Sequence, residues 1–380
     1  MTPLNILHVL RTPVGGLFRH VLDLARGQAA RGHRVGVVAD SATGGARADA
    51  ILRELAPSLA HGVSRTPMPR QPGARDLTAL LHVTRRIRAA GVDVVHGHGA
   101  KGGTYARLAP SGHAARVYTP HGGSLHYDRA TLTGRLFLGT ERLLMPRGDL
   151  YVFESAYSAG VFADKIGKPR GLVRIVHNGL APGEFDPVPP APDATDLLFV
   201  GELRLLKGVD LLIDAVASLH ARGRPVTATI VGDGPDRKRF ISQAERVGLT
   251  RAIRFAGAMP AREAFALGRV MVVPSRAESL PYIVLECIAA GRPVLASNVG
   301  GIPEIFGPLA DWLTPPDDAA ALARAIAETL DAGSETMTLA ARLRERVAEH
   351  FSVDQMVERV LAAYAEALAR RAKPAVTPSV

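Results

Sequence analysis

The sequence predicts an α/β fold of two doubly wound domains, each a parallel sheet with helices on both faces. Three observations lead there. Short β-rich runs alternate with longer helical patterns from one end of the 380-residue chain to the other, the order that feeds parallel strands through crossover helices. The β-rich runs are nearly continuous in apolar residues, as strands are when helices cover both faces. The alternation breaks once, at residues 181–196, APGEFDPVPPAPDATD, where proline and acidic residues crowd together and no apolar period survives. That composition reads as a linker.

Taken in order, the first half opens on the strand NILHVL, a helix from about Phe18 to Arg31 and the strand RVGVVAD. VDVVHGH, ARVYTP, LYVFES and VRIVHNG follow as strands. The second half restarts with the strand DLLFVGE and the helix VDLLIDAVASLHARG, then the strands VTATIVGDG, IRFAGAM, VMVVPS and PVLASN. The last pattern, VDQMVERVLAAYAEALARR, repeats Met356, Val357, Val360, Leu361 and Tyr364 at helical spacing, so it is an amphipathic helix, and it is expected to cross back onto the first domain. These readings place one domain at 1–185, a second at 186–353, the final helix at 354–371 and a disordered tail at 372–380. Ligands of parallel sheets bind beyond the carboxyl ends of the strands, so both sets of strand ends are expected to face one interdomain cleft.

Composition narrows the function classes. The single cysteine, Cys287, allows no disulfide framework and no cysteine-based zinc site, and it reads as a small buried hydrophobe in a reducing compartment. LNILHVL at the start is short, has no basic region before it and is followed by RTPVGG, unlike a secretory signal. No run reaches the roughly 18 apolar residues that span a bilayer. A cytoplasmic location is expected. The net charge is +10, and residues 1–185 carry 24 Lys+Arg against 12 Asp+Glu while the remainder carries 22 against 24. The positive excess therefore belongs to the first half. Aromatic residues are few and no nucleic-acid motif appears, so nucleic acid is not the expected partner. An anionic membrane surface or a phosphorylated lipid fits better, with peripheral attachment at the inner face of the membrane. The bland alternative is an arginine-rich genome, since net charge speaks to association and not to fold.

Four stretches carry chemistry. Gly15 and Gly16, in VGG, fall between the first strand and a helix; paired glycines at a helix start let backbone N–H groups approach a diphosphate. The spacing is not that of a dinucleotide fingerprint, although Asp40 after the second strand keeps a dehydrogenase in view. In GELRLLKG, Arg204 and Lys207 lie three apart at the end of a strand and before a helix, a setting that suits phosphate; a solvated loop is the alternative. ESLPYIVLEC puts Pro281 at the first turn and Gly291 at the end of a helix over about Tyr282 to Ala290. That helix is apolar on every side but for Glu286. A helix of this kind is buried, and a buried carboxylate needs a partner. Sugar hydroxyls would serve, or a structural ion pair with Arg276 or Arg292. Glu278 and Ser279 lie in the loop just before it. Finally, His96 and His98 share one face of a strand, and His121 and His126 follow another strand, His121 ahead of two glycines. No carboxylate stands at clear ligand spacing, so no metal is expected. His96 and His98 read as a polar cleft wall, and His121 as placed for close ligand approach, with a satisfied core histidine as the alternative.

Together these stretches resemble the family 4 retaining glycosyltransferases of the GT-B fold, which is built of two Rossmann-like domains. The resemblance covers nearly the whole chain: the first-strand glycines, VHNGL before the linker, VGDGP, and ESLPYIVLECIAAGRPVLASNVGGIPEI, which carries the family's pair of glutamates eight apart as Glu278 and Glu286. The resemblance implies transfer of a sugar from a nucleotide-diphosphate sugar to a carbohydrate or lipid-linked acceptor, with no cofactor and no metal. Glu286 would bind the ribose hydroxyls and Glu278 the donor sugar. The backbone from Ser279 through Leu280 and Pro281 to Tyr282 would hold sugar and phosphate. Lys207 and Arg204 would neutralise the diphosphate, Gly15 and Gly16 would pack against it, and His121 would contact the transferred sugar. His96, His98, Lys101 and His126 are candidates for the acceptor side. Two positions depart from the family pattern: Glu202 stands where the family has arginine, with Arg204 as the candidate replacement, and Pro281 removes one backbone donor. The expected role is synthesis of a cell-surface polysaccharide or glycolipid. The rivals are a nucleotide-sugar 2-epimerase of the same fold and a noncatalytic membrane-associated binding protein.

Overall fold

The computed structural model describes residues 2–372, the side chains of Ser124 and His126 excepted. Residues 373–380 of the expected tail lie outside the described residues, and Ala372 ends the last helix. The described residues form two compact units, 2–179 with 353–372, and 180–352.

The first unit is built on β1 (Asn5–Leu10), β2 (Arg34–Asp40), β3 (Val63–Thr66), β4 (Val94–His98), β5 (Ala115–Thr119), β6 (Leu150–Phe153) and β7 (Leu172–Ile175). They pair in the order β3-β2-β1-β4-β5-β6-β7, all parallel. Side chains alternate across the sheet. Ile6, Leu10, Val94 and Val117 face a core that also holds Val21 and Leu24 of the helix Gly15–Ala30 and Val357, Val360, Leu361 and Tyr364 of the helix Val353–Ala372. Leu7, Val9 and Val95 face the other core, with Val83, Ile87 and Tyr105. The strand β3 has no counterpart among the sequence expectations. It is a four-residue edge strand, VSRT, only one of whose residues is buried, so it carries no apolar run.

The second unit is built on β8 (Thr195–Val200), β9 (Ala228–Val231), β10 (Ile253–Gly257), β11 (Gly268–Val273) and β12 (Val294–Ala296), parallel in the order β10-β9-β8-β11-β12. Leu197, Phe199, Ile230 and Val272 pack on the helix Val209–Ala221. Leu198, Met271 and Val273 pack on the helix Tyr282–Ala289. The stretch expected to be a linker is tied to this unit. Val188 N–H donates to Ala290 O at 3.0 Å and Ala191 N–H to Ala266 O at 2.8 Å, and Arg344 donates to Phe185 O at 2.5 Å. Proline-rich composition signals irregular backbone; it does not reveal such anchoring. No helix among the described residues is long and apolar enough to cross a membrane.

Candidate active site

In the second unit the sheet order reverses between β8 and β11, the switch point at which doubly wound sheets open a crevice beyond their strand ends. β8 runs into the loop that carries Arg204 and Lys207, and β11 into the loop that carries Glu278. The two loops meet there. Lys207 Nζ donates to Glu278 Oε1 at 2.6 Å, and Ser275 Oγ donates to the same oxygen at 2.8 Å. Glu278 is nearly buried while Lys207 keeps about a quarter of its side chain in solvent, at 9% and 26% exposure. The carboxylate is therefore satisfied, and the ammonium still has donors to offer.

Glycines make this approach. Gly208 starts the helix Val209–Ala221 in the left-handed region, φ 71°, and a Cβ there would stand 1.9 Å from Pro274 O. Gly300, φ 62°, passes so close to the other loop that a Cβ would stand 1.8 Å from Glu278 O, and Gly301 N–H donates to Ser279 O at 2.7 Å. Only glycine allows such backbone-to-backbone packing. Asp236 fixes the first loop by accepting from Leu205 N–H at 2.8 Å. Arg276 locks the second: its guanidinium spans Asp210, at 2.8 Å through two nitrogens, and Asp317, at 2.7 Å. Its hydrogen bonds to the Asp210 carboxylate, which accepts them, raise the Arg276 pKa further above its ordinary value.

Ser279 is half-buried, and Leu280, Pro281 and Tyr282 are buried. Pro281 is the N-cap of the helix Tyr282–Ala289 and not its first-turn residue, and no side chain caps it. Glu286 is half-buried, as is Ile283 one turn earlier, whereas the rest of that helix is buried. The all-apolar pattern predicted full burial; the packed helix leaves one edge uncovered, and Glu286 lies on it. The expected ion-pair partners are engaged elsewhere, Arg276 as described and Arg292 by donating to the carbonyls of Gly268 and Arg269 at 2.6 and 2.7 Å. Arg204 is exposed and lies 3.6 Å from Glu202, the residue at the position of the family arginine.

In the first unit Gly15 and Gly16 open the helix Gly15–Ala30 at the end of β1, exposed and without a side-chain cap at Val14. His121 follows β5 with φ 52°, a left-handed conformation uncommon outside glycine. Its side chain is 6% exposed, and Nδ1 lies 3.7 Å from Glu154 Oε1. His98 Nδ1 lies 3.0 Å from His121 Nε2, and His98 Nε2 lies 2.9 Å from His8 Nδ1. His96 is bonded to Tyr364 Oη at 2.6 Å and Thr119 Oγ1 at 2.8 Å. Both His96 and His98 are thus interior groups and not the open polar wall that alternation along a strand suggested. Alternation fixes a shared face and leaves open what covers it, here the two helices at Gly15–Ala30 and Val353–Ala372. Lys101 is committed to Asp76 Oδ1 at 2.7 Å, an internal ion pair. The His126 side chain lies outside the described residues.

Sequence reasoning passed over His8, His20 and Glu154. His8 is the register partner of His96 across β1 and β4, and its Nε2 meets Gln28 Oε1 at 2.8 Å. His20, on the buried side of the first helix, meets Asn178 Oδ1 through Nδ1 at 3.0 Å. Burial pushes the pKa values of His8 and His20 down to about 4 and those of His96, His98 and His121 well below the usual histidine value. It pushes that of Glu154 up to about 7. The single usable signal was His8 in a strand neighbouring HGH; the other contacts join distant segments.

Comparison with known proteins agrees with this architecture. Residues 14–183 match the family described as Glycosyltransferase Family 4, and residues 194–332 match the family described as Glycosyl transferases group 1. A D-inositol 3-phosphate glycosyltransferase of Salinispora tropica is 30% identical, over 81% of this chain and 70% of that one. A glycogen synthase of Mycobacterium tuberculosis is 27% identical, over 89% and 88%. The solved structure of a glycosyltransferase from Rickettsia africae superposes with a TM-score of 0.78 over 97% of this chain and 99% of that one, at 18% identity, which speaks to the fold alone. The two parallel sheets and these matches lead to one conclusion: the chain is a glycosyltransferase of the GT-B fold and belongs to the family 4, group 1 glycosyltransferases.

Proposed function

We propose that the protein transfers a hexose from a nucleotide-diphosphate sugar to a hydroxylated acceptor with retention of configuration at the anomeric carbon. The observation that carries this reading is the Lys207–Glu278 pair at the β8/β11 switch point. A cation with solvent-facing donors suits a diphosphate, and a carboxylate fixed beside it suits sugar hydroxyls. Glu286, on the uncovered edge of the next helix, is assigned to the ribose, and His121 to the transferred sugar. In the reaction the bond from the anomeric carbon to the diphosphate oxygen breaks and the bond to the acceptor oxygen forms on the same face. The acceptor proton passes to the departing phosphate. Lys207, Arg204 and the N–H groups at the start of the helix Tyr282–Ala289 stabilise the charge that develops on the diphosphate, without a metal at that position.

The acceptor side is assigned to the first unit. The names of the two relatives, one acting on D-inositol 3-phosphate and one a glycogen synthase, are in line with a polyol or glycan acceptor. A surface polysaccharide or glycolipid made at the cytoplasmic face of a membrane is the role proposed. Leu132, Leu136 and Leu143 are exposed on one face of the helix Leu132–Leu144, beside Arg135 and Arg142, a pattern suited to an anionic lipid surface.

A panel of UDP, GDP and ADP sugars tested by thermal shift identifies the donor, because a ligand of the folded state raises the melting temperature. Glu286→Ala is expected to abolish the shift. An epimerised product from donor alone would overturn transfer in favour of isomerisation, and salt-insensitive behaviour without vesicle binding would remove the membrane.

A further inference from the structure

We propose that Gln28, His8 and His98 are positioning residues for His121. A buried chain of hydrogen bonds holds that imidazole with its proton on Nε2 and its lone pair on Nδ1, so the donor sugar must offer Nδ1 a hydroxyl or an amine. This rests on the assignment of His121 to the transferred sugar and names the class of sugar that such a contact admits. The chain has a direction. Gln28 Oε1 lies 2.8 Å from His8 Nε2, His8 Nδ1 lies 2.9 Å from His98 Nε2, and His98 Nδ1 lies 3.0 Å from His121 Nε2. A neutral imidazole has one donor nitrogen and one acceptor. Burial keeps these three rings neutral by pushing their pKa values well below the usual histidine value. The Gln28 carbonyl oxygen can only accept, so His8 donates from Nε2 and accepts at Nδ1. His98 does likewise, and His121 donates from Nε2. One nitrogen of His121 is thereby committed, and Nδ1 is left as an acceptor.

Two further observations agree with a bare Nδ1. Glu154 Oε1 stands 3.7 Å from it, beyond hydrogen-bond distance. A proton on Nδ1 would draw the carboxylate in to about 2.7–2.9 Å, whereas two acceptors keep apart. The ring is also held in place. His121 has φ 52°, a conformation that persists only when its surroundings fix it, and His20 packs edge-on against the imidazole, with centroids 4.7 Å apart at 73°. The sense of the whole chain originates at the Gln28 amide. Turned over, its NH₂ group would donate to His8, reverse every link and place the proton on Nδ1 of His121. As the chain stands, an acceptor nitrogen beside a carboxyl group suits a neutral hexose or an amino sugar and repels the carboxylate of a uronic acid.

Histidine-selective ¹⁵N labelling of the full-length protein reads the tautomers by NMR without any substrate, so the chain is tested apart from the transfer reaction. The spectrum of His121→Asn identifies the His121 signals. At neutral pH the parent is expected to show Nε2 protonated and Nδ1 bare at His121. Gln28→Met removes the terminal acceptor and should lose that state; Gln28→Glu, whose carboxylate still accepts, should keep it. Transfer is then assayed with the donor that the thermal-shift panel selects, one sugar hydroxyl at a time replaced by fluorine, which cannot donate. The parent should reject one fluorinated position by about tenfold. That rejection should shrink in Gln28→Met and persist in Gln28→Glu. A proton on Nδ1 of His121 in the parent overturns the chain, as does a folded Gln28→Met with tautomer and fluorine preference unchanged. A bare Nδ1 with no fluorine-sensitive position, or efficient transfer of a uronic acid by the parent, overturns the link to the sugar. Circular dichroism checks folding; if Gln28→Met does not fold, the tautomer and fluorine profile of the parent decide.

Discussion

Gly300→Ala separates backbone strain from loop displacement at the proposed donor site. Gly300 is left-handed, and its Cβ would stand 1.8 Å from Glu278 O. Two costs follow. An alanine in the left-handed region costs about 1–2 kcal/mol. In addition, ordinary contact begins near 3.4 Å, so the loop that carries Glu278 must retreat by about 1.6 Å, the difference between 3.4 and 1.8. Misplacement on the order of 1 Å at a reacting centre costs about 10²-fold in rate, and this shift would also part Glu278 from Lys207. The control is Gly223→Ala, which has a similar φ of 77° but nothing within 4 Å of its Cβ. A unit of this size melts roughly 2–4 °C lower for each kcal/mol lost, so both variants should melt a few degrees early. Only Gly300→Ala should lose transfer, by about 10²-fold, measured as sugar transferred from the donor that the thermal-shift panel selects. Full activity in Gly300→Ala, or an equal loss in Gly223→Ala, would refute the reasoning.

Three other outcomes are expected. Lys207→Met should lower transfer by about 10²–10³-fold and, by leaving Glu278 without its cation, reduce stability by about 1–3 kcal/mol; Lys207→Met with Glu278→Met should recover stability in denaturant titration but not activity, and recovered activity would show that the pair is only structural. In the first unit Arg107 Nη2 donates to Glu141 Oε2 at 2.7 Å with both side chains buried, and Tyr118 Oη donates to Glu141 Oε1 at 2.6 Å. Arg107→Met alone should cost about 3–5 kcal/mol and the double change with Glu141→Leu much less, as read from denaturation midpoints. Cys287 is fully buried and burial raises its thiol pKa well above the usual range, so a maleimide should label it only once guanidinium unfolds the second unit; rapid labelling of native protein, seen by mass spectrometry, would contradict that burial.

Much of the fold was legible because long-range order here is written locally. Buried parallel strands are apolar runs, and β1, β2, β4 and β8 stand where those runs stand. The short edge strand β3 has no such run and went unread. The site divides along the same line. Lys207 and Glu278 could be marked as candidates, since each sits in a loop at a strand's end. That they touch, and that Ser275, Gly208 and Gly300 hold them, depends on packing between segments up to 71 residues apart, from Lys207 to Glu278. Glu286 illustrates the limit: its helix is apolar in sequence on every side, and only the packed neighbours decide which edge stays open.

By itself, then, the sequence determined the two parallel sheets, the buried face of the final helix and the family, because apolar period and loop motifs are properties of contiguous residues. The tertiary structure alone decided the burial of His96 and His98, the engagement of Lys101 by Asp76, and the meeting of His8, His20, His98, His121 and Glu154. Those residues come from separate strands, loops and a helix. Whether an imidazole meets water, a carboxylate or another imidazole is set by what the fold lays over it.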